Sequence, residues 1–294
     1  MYQQISANKR NTFFLIFFFV IFILFLGWIF GETQGSGYIG LFIASLIALV
    51  MTLVGYFESD KIVLAVSKAR LVDKNENPYL VNVVEGLSIA AGIPAPKIYI
   101  IDDSAPNAFA TGRNPQNASI AVTTGLLDKL NRLELEGVTA HEMSHIKNYD
   151  IRYATLVVIL VGTVVLLSDW MGRSFFYGRR KRSERGSQIE GIIILIALVL
   201  AILSPLIAKL VQLAISRQRE YLADANGALL TRYPEGLASA LEKISKDTEP
   251  LEVANKATAH LYIVNPLLEH GSRLNNLFST HPLAEERIKR LRSM

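Results

Sequence analysis

Four uncharged apolar runs constrain the fold of this chain more than any other feature. The runs cover Phe13–Phe30, Tyr38–Phe57, Tyr153–Ser168 and Gly191–Ala208. At a helical rise of about 1.5 Å per residue, the first run reaches about 27 Å, which is enough to cross the hydrocarbon core of a bilayer. A short polar link, "GETQGSG", joins the first two runs. We therefore predict an N-terminal transmembrane hairpin over residues 1–57 and a second hydrophobic hairpin over residues 153–215.

The composition fits a membrane protein and excludes several other classes. Hydrophobic residues make up 51% of the 294 residues and charged residues 19%, which is more apolar than a soluble domain of this size. The net charge of +4 is explained by basic residues near membrane ends, so we expect a lipid bilayer as partner and no nucleic acid. The chain has no cysteine, which excludes disulfides, thiolate metal ligands and a cysteine nucleophile.

Basic residues give a partial membrane orientation. Lys9 and Arg10 place the N-terminus in the cytoplasm, and the link Gly31–Gly37 carries no Lys or Arg, as expected outside. The segment that follows the third run, "GRSFFYGRRKRSERG", carries six Lys or Arg and conflicts with a third full crossing. Either the second hairpin does not cross the bilayer fully, or this segment departs from the rule. The third run could also be a buried core helix.

The motif "HEMSH" supplies candidate metal ligands. His141 and His145 are four residues apart, which places both imidazoles on one face of a helix. Glu142 is rotated by about 100° from His141, so it is better placed to reach a water molecule than to bind the metal. The pattern H-E-x-x-H predicts two zinc ligands and a general base. The alternative is a pair of surface histidines on an amphipathic helix.

A catalytic zinc ion takes three protein ligands and keeps one position open. A third histidine six residues after His145 is excluded, because Ile151 stands there. The segment "RQREYLADANGALL" offers Glu220 and Asp224 on one face of a predicted helix. Glu220 can bind the metal, and Asp224 can accept a hydrogen bond from the outer nitrogen of a ligand histidine. The alternative is an ordinary charged helix end.

Distances along the two apolar arms agree with a shared site. If one unbroken helix continues from His145, the metal lies about 12 Å from the start of the third run at Tyr153. The fourth stretch ends at Ile215, about 8 Å before Glu220 by the same rise. Both arms then reach similar heights above the membrane edge and can meet at one ion.

Several motifs in a fixed order resemble a known family. They are "NAFATG" at Asn107–Gly112, "HEMSH", "REYLAD" at Arg219–Asp224 and "STHPLAEERI" at Ser279–Ile288. With the two hydrophobic pairs, they make nearly the whole chain resemble the HtpX-type membrane zinc metalloproteases, relatives of the CAAX prenyl proteases and of mitochondrial inner-membrane stress proteases. The resemblance implies one Zn²⁺ per chain bound by His141, His145 and Glu220, with Glu142 as the general base.

The resemblance also implies contacts with the substrate. It assigns an edge strand beside the active-site helix to Asn107, Ala108, Phe109 and Ala110. An extended substrate can bind such an edge by strand addition. His281 either contacts the substrate or the oxyanion, or it is a structural histidine before a turn. Arg287 is expected to brace the site through a carboxylate.

The predicted function is that of a zinc metalloendopeptidase. The resemblance implies cleavage of damaged or misfolded membrane proteins, as a stress response, on the cytoplasmic side of a bacterial plasma membrane. An intramembrane protease of the site-two type is the first alternative, although "HEMSHIKNYDIR" is too charged to lie in hydrocarbon. A prenyl-protein protease and a catalytically silent membrane scaffold are the others.

The predicted fold is a mostly α membrane protein, with a gluzincin-type zinc metalloprotease domain and a small β-sheet on a four-helix transmembrane anchor. We predict strands at Lys97–Ile101, Ala108–Thr111 and Ser119–Thr123. A helix is expected to begin at Asn77 and Pro78 and to end near Gly92. Residues 58–152 and 216–294 form the two parts of the protease domain, and residues 153–215 interrupt it.

Overall fold

The computed structural model of the protein describes residues 2–33, 35–160, 162, 217–253, 258–264 and 282–294. Within these ranges, the helices before the metal motif are α1 (Tyr2–Thr33), α2 (Gly37–Phe57), α3 (Ser59–Val66), α4 (Pro78–Ala91) and α5 (Thr124–Lys129). The strands are β1 (Arg70–Leu71), β2 (Lys97–Ile101), β3 (Ala108–Asn114) and β4 (Asn117–Thr123). The later helices are α6 (Arg132–Lys147), α7 (150–160), α8 (Arg217–Thr231), α9 (Pro234–Lys246), a 3₁₀ turn at Ala259–Leu261, and α10 (Ala284–Leu291).

The first two helices form the predicted hairpin. The stretches Gln4–Ile29 and Gly37–Phe57 are long and apolar enough to cross a membrane, by length and composition. Their outer faces expose large apolar side chains, among them Phe18 and Phe42. A Cβ added to Gly40 would lie 2.1 Å from the carbonyl oxygen of Gly27, so the two backbones touch directly. Small residues at such a crossing are typical of helices that pack within lipid.

The four-helix anchor stays a prediction. The fourth apolar run, seven of the sixteen residues of the third and the basic segment between them lie outside the described residues. The described part of the third run is α7, and it packs against the hairpin. One apolar cluster joins Leu156 and Val157 of α7 to Leu15 and Phe19 of α1 and to Ala48 of α2.

The small sheet has the strand order β1-β2-β4-β3. Strand β4 pairs in parallel with β2 and antiparallel with β3, which leaves β3 at one edge of the described sheet. All three predicted strands are present. The structure extends β3 to Asn114 and starts β4 at Asn117, and it adds the two-residue β1, which is too short to give a sequence pattern.

Helix α4 begins and ends where the sequence predicts. The side chain of Asn77 accepts a hydrogen bond from the backbone N–H of Leu80 at 3.0 Å, and Pro78 occupies the first turn. Gly92 ends the helix with a φ of 67°, in the left-handed region that glycine adopts without a steric cost.

Helix α6 carries the metal motif and lies at the centre of the protein. Asn131 and Glu134 form a reciprocal capping box at its start. Its apolar side chains Val138, Met143 and Ile146 are fully buried. The helix packs against α4, β3, α8 and α9, so its position is fixed from several sides.

The helix does not run unbroken into the third apolar run. It ends at Lys147, Asn148 caps it, and Tyr149 has a left-handed φ of 61° before α7 begins at residue 150. The predicted straight path of about 12 Å from His145 to Tyr153 is therefore wrong. The chain turns at Asn148 and Tyr149, which lets α7 lie against the hairpin while α6 packs among α4, β3, α8 and α9.

Candidate metal centre

Three side chains from two helices converge on one point. His141 and His145 of α6 bring their Nε2 atoms within 3.1 Å of each other. Glu220, in the first turn of α8, places Oε2 at 3.6 Å from Nε2 of His141 and Oε1 at 3.5 Å from Nε2 of His145. These three residues form a group of potential metal ligands in the described part of the chain.

The spacing of these atoms fits a zinc ion. With metal–ligand bonds of about 2.1 Å, the ligand atoms of a tetrahedral site lie about 3.4 Å apart. The three separations of 3.1, 3.5 and 3.6 Å are close to that value. Two imidazoles and one carboxylate are also a donor set that catalytic zinc sites use, with the fourth position left for water or substrate. The residues present can therefore hold one Zn²⁺.

Close packing of α8 on α6 brings Glu220 to the histidines. The buried residues of α8 repeat at helical spacing and include Ala223, Asp224 and Gly227. A Cβ added to Gly227 would lie 3.1 Å from the backbone nitrogen of His141. A glycine at this position therefore permits the short distance between the two helices.

A buried carboxylate and a buried guanidinium lie behind His141. Nδ1 of His141 donates to Oδ1 of Asp224 at 2.9 Å. Arg287 of α10 binds the same carboxylate with two atoms, Nε to Oδ2 at 2.9 Å and Nη2 to Oδ1 at 2.7 Å. Asp224 thus accepts the hydrogen bond of Nδ1 of His141 and leaves Nε2 as the nitrogen directed at the metal position.

Neighbouring charges shift the pKa values of His141 and Asp224. Burial raises the pKa of Asp224, but Arg287 and His141 outweigh it and lower the pKa to about 2. Burial and the charge of Arg287 lower the pKa of His141, but the nearby carboxylates of Asp224 and Glu220 outweigh them and raise it to about 9. Asp224 is therefore ionised at neutral pH and can accept the hydrogen bond from His141.

His145 has a carboxylate of its own. Its Nδ1 donates to Oδ2 of Asp150 at 3.1 Å, which again leaves Nε2 directed at the metal position. Asp150 was not predicted from the sequence as a site residue. Its distance from His145 along the chain is short, but the contact requires the turn at Tyr149 that separates α6 from α7.

Glu142 is placed for proton transfer. It is buried, and burial raises the pKa of its carboxyl above the usual value, against the lowering effect of the neighbouring histidines. The backbone N–H of Ala110 also lowers this pKa, and Ala110 lines the same pocket, so the carboxyl lies near strand β3. A carboxylate with a raised pKa is a better proton acceptor near neutral pH.

The metal position opens onto one pocket. Its lining comes from β3, α6, α7, α8 and the segment 258–264, and consists of Ala110, His141, Glu142, His145, Asp150, Ile151, Ala154, Arg219, Glu220, His260, Leu261, Tyr262 and Ile263. Arg219 and His260 are pocket residues that were not predicted from the sequence. An isolated histidine such as His260 has no spacing pattern that could have revealed it. The residue singled out instead, His281, lies outside the described residues.

Strand β3 is an edge strand, but its edge is partly covered. The N–H of Ile263 donates to the carbonyl oxygen of Ala108 at 3.0 Å, and the side-chain amide of Asn107 donates to the carbonyl of Val264 at 2.9 Å. The ring of Phe109 is fully buried against Tyr262. Of the four residues predicted to contact substrate, Ala110 is the one that lines the pocket.

Residues 74–294 match peptidase family M48. The chain belongs to this family. The M48 chain is 53% identical over 293 residues to a Protease HtpX homolog of Dictyoglomus turgidum, an alignment that covers 100% of this chain and 94% of that relative. It is 48% identical to a Protease HtpX homolog of Tropheryma whipplei, covering 100% and 98% of the two chains.

A solved structure also matches the M48 chain. The crystal structure of S. mikatae Ste24p matches with a TM-score of 0.49 and 22% sequence identity, covering 99% of this chain and 67% of that chain. The family and the HtpX relatives confirm the predicted resemblance and the prediction of a metallopeptidase. An M48 metallopeptidase implies a bound metal, generally zinc, and the cluster of His141, His145 and Glu220 provides suitable ligands.

Proposed function

We propose that this M48 peptidase is a zinc-dependent endopeptidase of the bacterial plasma membrane that cleaves damaged or misfolded membrane proteins at the cytoplasmic face. One observation carries the proposal. His141, His145 and Glu220 converge at spacings that suit zinc ligands, beside the buried Glu142. The end of helix α6, which carries the two histidines, is joined to the apolar helical hairpin by a hydrogen bond from Asn8 to Asn148. The family match and the bacterial HtpX relatives support the proteolytic part.

The proposed ligands, the general base and the residues that hold His141 each have a role in peptide hydrolysis. When bound by His141, His145 and Glu220, zinc supplies a Lewis acid that polarises the scissile carbonyl and acidifies a water molecule. Glu142 accepts the proton of the attacking water and passes it to the leaving amine. Asp224, held by Arg287, keeps the imidazole of His141 in the ligand orientation.

An extended substrate is proposed to bind along β3. The strand lies at the edge of the described sheet, and its Ala110 lines the same pocket as Glu142. Strand addition supplies backbone hydrogen bonds without regard to side chains, which suits a protease for many misfolded proteins. The N–H of Ile263 holds the carbonyl of Ala108, so a substrate that pairs at that point must displace the segment 258–264.

The orientation in the membrane is part of the proposal. Lys9 and Arg10 precede the apolar part of α1 and favour a cytoplasmic N-terminus. Two crossings then return the chain to the cytoplasm at α3. Because α3 contacts β3 and β4, the sheet and the metal centre lie on the same side. His281, through its place in "STHPLAEERI", is proposed to contact the substrate or the oxyanion.

The decisive experiment separates metal binding from proton transfer in the full-length protein. Glu142→Gln is expected to keep zinc and to lose cleavage of a model membrane protein by a factor of at least about 10², because a general base contributes about 10² to 10⁴. Glu220→Ala is expected to lose both zinc and activity. Zinc content is measured by elemental analysis and cleavage by gel electrophoresis.

A matched control comes from the same helix. Glu136 is a carboxylate of α6 that pairs with Arg132 at the surface, so Glu136→Gln is expected to retain zinc and activity. Full activity of Glu142→Gln would overturn the assigned base, and full zinc content of Glu220→Ala would overturn the third ligand. A zinc-free wild-type protein would overturn the proposed function as a whole.

A further inference from the structure

The carboxylate of Asp150 has two oxygens with different partners. Oδ2 accepts the hydrogen bond from Nδ1 of His145 at 3.1 Å. Oδ1 accepts a hydrogen bond from the side-chain amide of Asn8 at 2.6 Å. The two contacts form a chain of hydrogen bonds from α1 to a residue that faces the metal position. Asn8 and Asp150 are 142 positions apart in the sequence.

Asn8 is a polar side chain in a buried position. It lies in the second turn of α1, before the long apolar run of that helix, and only 5% of it is exposed. Its amide nitrogen carries two hydrogens and has two acceptors, Oδ1 of Asp150 at 2.6 Å and the backbone carbonyl of Asn148 at 2.9 Å. Both donor positions are therefore used, as burial of an amide requires.

The second acceptor ties Asn8 to the end of the metal-binding helix. Asn148 caps α6, and the last carbonyl groups of a helix have no partner within the helix itself. Asn8 satisfies one of them at the point where the chain turns at Tyr149. The cation of Lys9 lies 4.7 Å from the centre of the Tyr149 ring, so neighbouring residues of α1 hold both sides of this turn.

The arrangement repeats on the other histidine. His141 donates to Asp224, and Arg287 fixes that carboxylate from α10. His145 donates to Asp150, and Asn8 fixes that carboxylate from α1. Each ligand histidine thus has one carboxylate behind it and one donor that holds the carboxylate in place.

We propose that Asn8 is a positioning residue of the metal centre, through which the N-terminal membrane helix orients His145 by way of Asp150. This inference rests on the proposed function, since it takes His145 as a zinc ligand. Without Asn8, the carboxylate of Asp150 loses one hydrogen-bond partner and can rotate. The guanidinium of Arg219, 4.0 Å from Oδ1 of Asp150, then competes with His145 for this carboxylate. Without Asn8 the imidazole of His145 then loses its fixed direction.

The test compares zinc affinity in full-length variants, by competition with a chromophoric chelator. Asp150→Ala is expected to weaken zinc binding about 10- to 100-fold, as loss of such a carboxylate does at other metal sites. Asn8→Leu keeps the approximate shape of the side chain and is expected to weaken zinc binding about tenfold, the effect of one hydrogen bond to a charged group. Cobalt-substituted protein is expected to show shifted visible absorption bands in both variants.

The control is Thr12→Val. Thr12 is also a buried polar residue of α1, one turn further along, and its hydroxyl bonds within the helix to the carbonyl of Asn8. Its replacement is expected to leave zinc affinity and the cobalt spectrum unchanged. If Asn8→Leu does not yield folded protein, Asn8→Ser serves in its place, because its side chain is too short to reach Asp150.

A double variant shows whether Asn8 acts through Asp150. In the Asp150→Ala background, Asn8→Leu is expected to change zinc affinity by less than about twofold, since the group it acts on is gone. Wild-type affinity and spectrum in Asn8→Leu, or an undiminished effect in the double variant, would overturn the inference. Those results leave the proposed function intact, which fails instead if the wild-type protein binds no zinc.

Discussion

At the scale of single residues, the site concentrates negative charge in a buried place. Four carboxylates surround the two histidines in the described structure, those of Glu142, Asp150, Glu220 and Asp224. The charge of Glu220 contributes to the raised pKa of Glu142, as like charges at short distance do. Arg287 neutralises part of this charge. A divalent cation between the imidazoles would offset much of the rest, which is a second physical reason for a metal here.

The loss of Arg287 should lower the stability of the protein strongly. Replacing it in Arg287→Met keeps much of its volume but leaves Asp224 buried without its cation. Removal of one partner of a buried ion pair costs about 3–5 kcal/mol, so the melting temperature is expected to fall sharply. Lys289→Met, an exposed position of the same helix, is the matched control. Equal melting temperatures of the two variants would contradict this account.

Spacing within a helix explains what the sequence could predict about the site. The four-residue intervals of His141 and His145, and of Glu220 and Asp224, place each pair on one helix face. Spacing does not reveal contacts between distant elements. The partnership of Asn8 with Asp150, and the entry of His260 into the pocket, depend on how separate segments pack. No local pattern records such packing.

At the scale of elements, the contact between α1 and α2 is a backbone contact. The missing side chain of Gly40 lets the carbonyl of Gly27 approach, and any larger residue must push the helices apart. Gly40→Val is therefore expected to lower the melting temperature in detergent, by more than Gly86→Ala changes it. Gly86 lies in α4 with open space around its Cα.

For the control Gly86→Ala, the direction of the change in melting temperature can also be predicted. Alanine in the interior of a helix is more favourable than glycine by about 0.5–1 kcal/mol, so Gly86→Ala is expected to raise the melting temperature slightly. If Gly40→Val melted as the wild type does, the hairpin could not be held by the close crossing at Gly27. Thermal denaturation followed by intrinsic tryptophan fluorescence measures both variants.

Elements with a local sequence signal were predicted, and the turn that lacks one was missed. The caps of α4 are sequence-local, since Asn77 and Gly92 each act on their own helix end. The turn at Asn148 and Tyr149 carries no glycine or proline, so the sequence looked continuous from α6 into the apolar run. Tertiary contacts, including the hydrogen bond from Asn8 to Asn148, stabilise the turn.

At the scale of the whole molecule, zinc should stabilise the entire fold. The proposed ligands and the residues that hold them come from α1, α6, α7, α8 and α10, so the metal joins distant parts of the chain. At a free zinc concentration about 100 times Kd, binding stabilises the folded state by about 2.7 kcal/mol. Melting temperature is therefore expected to fall on chelation and to recover when zinc is restored.

Glu220→Ala supplies the control for this measurement. With one proposed ligand removed, its melting temperature should respond little to zinc or to the chelator. An equal response of this variant and the wild type would show that zinc acts at some other place. The same titration, followed by peptide cleavage, should show activity lost and regained together with the thermal shift.

The contact of Asn8 with Asp150 bears on how such proteins are prepared for study. A recombinant fragment that starts at residue 58 would retain "HEMSH", "REYLAD" and the whole sheet. It would also uncover the apolar face of α7 and remove the amide that holds Asp150. Weak metal retention in such a fragment would be a result of the truncation. The anchor thus belongs to the smallest unit of this chain in which catalysis should be measured.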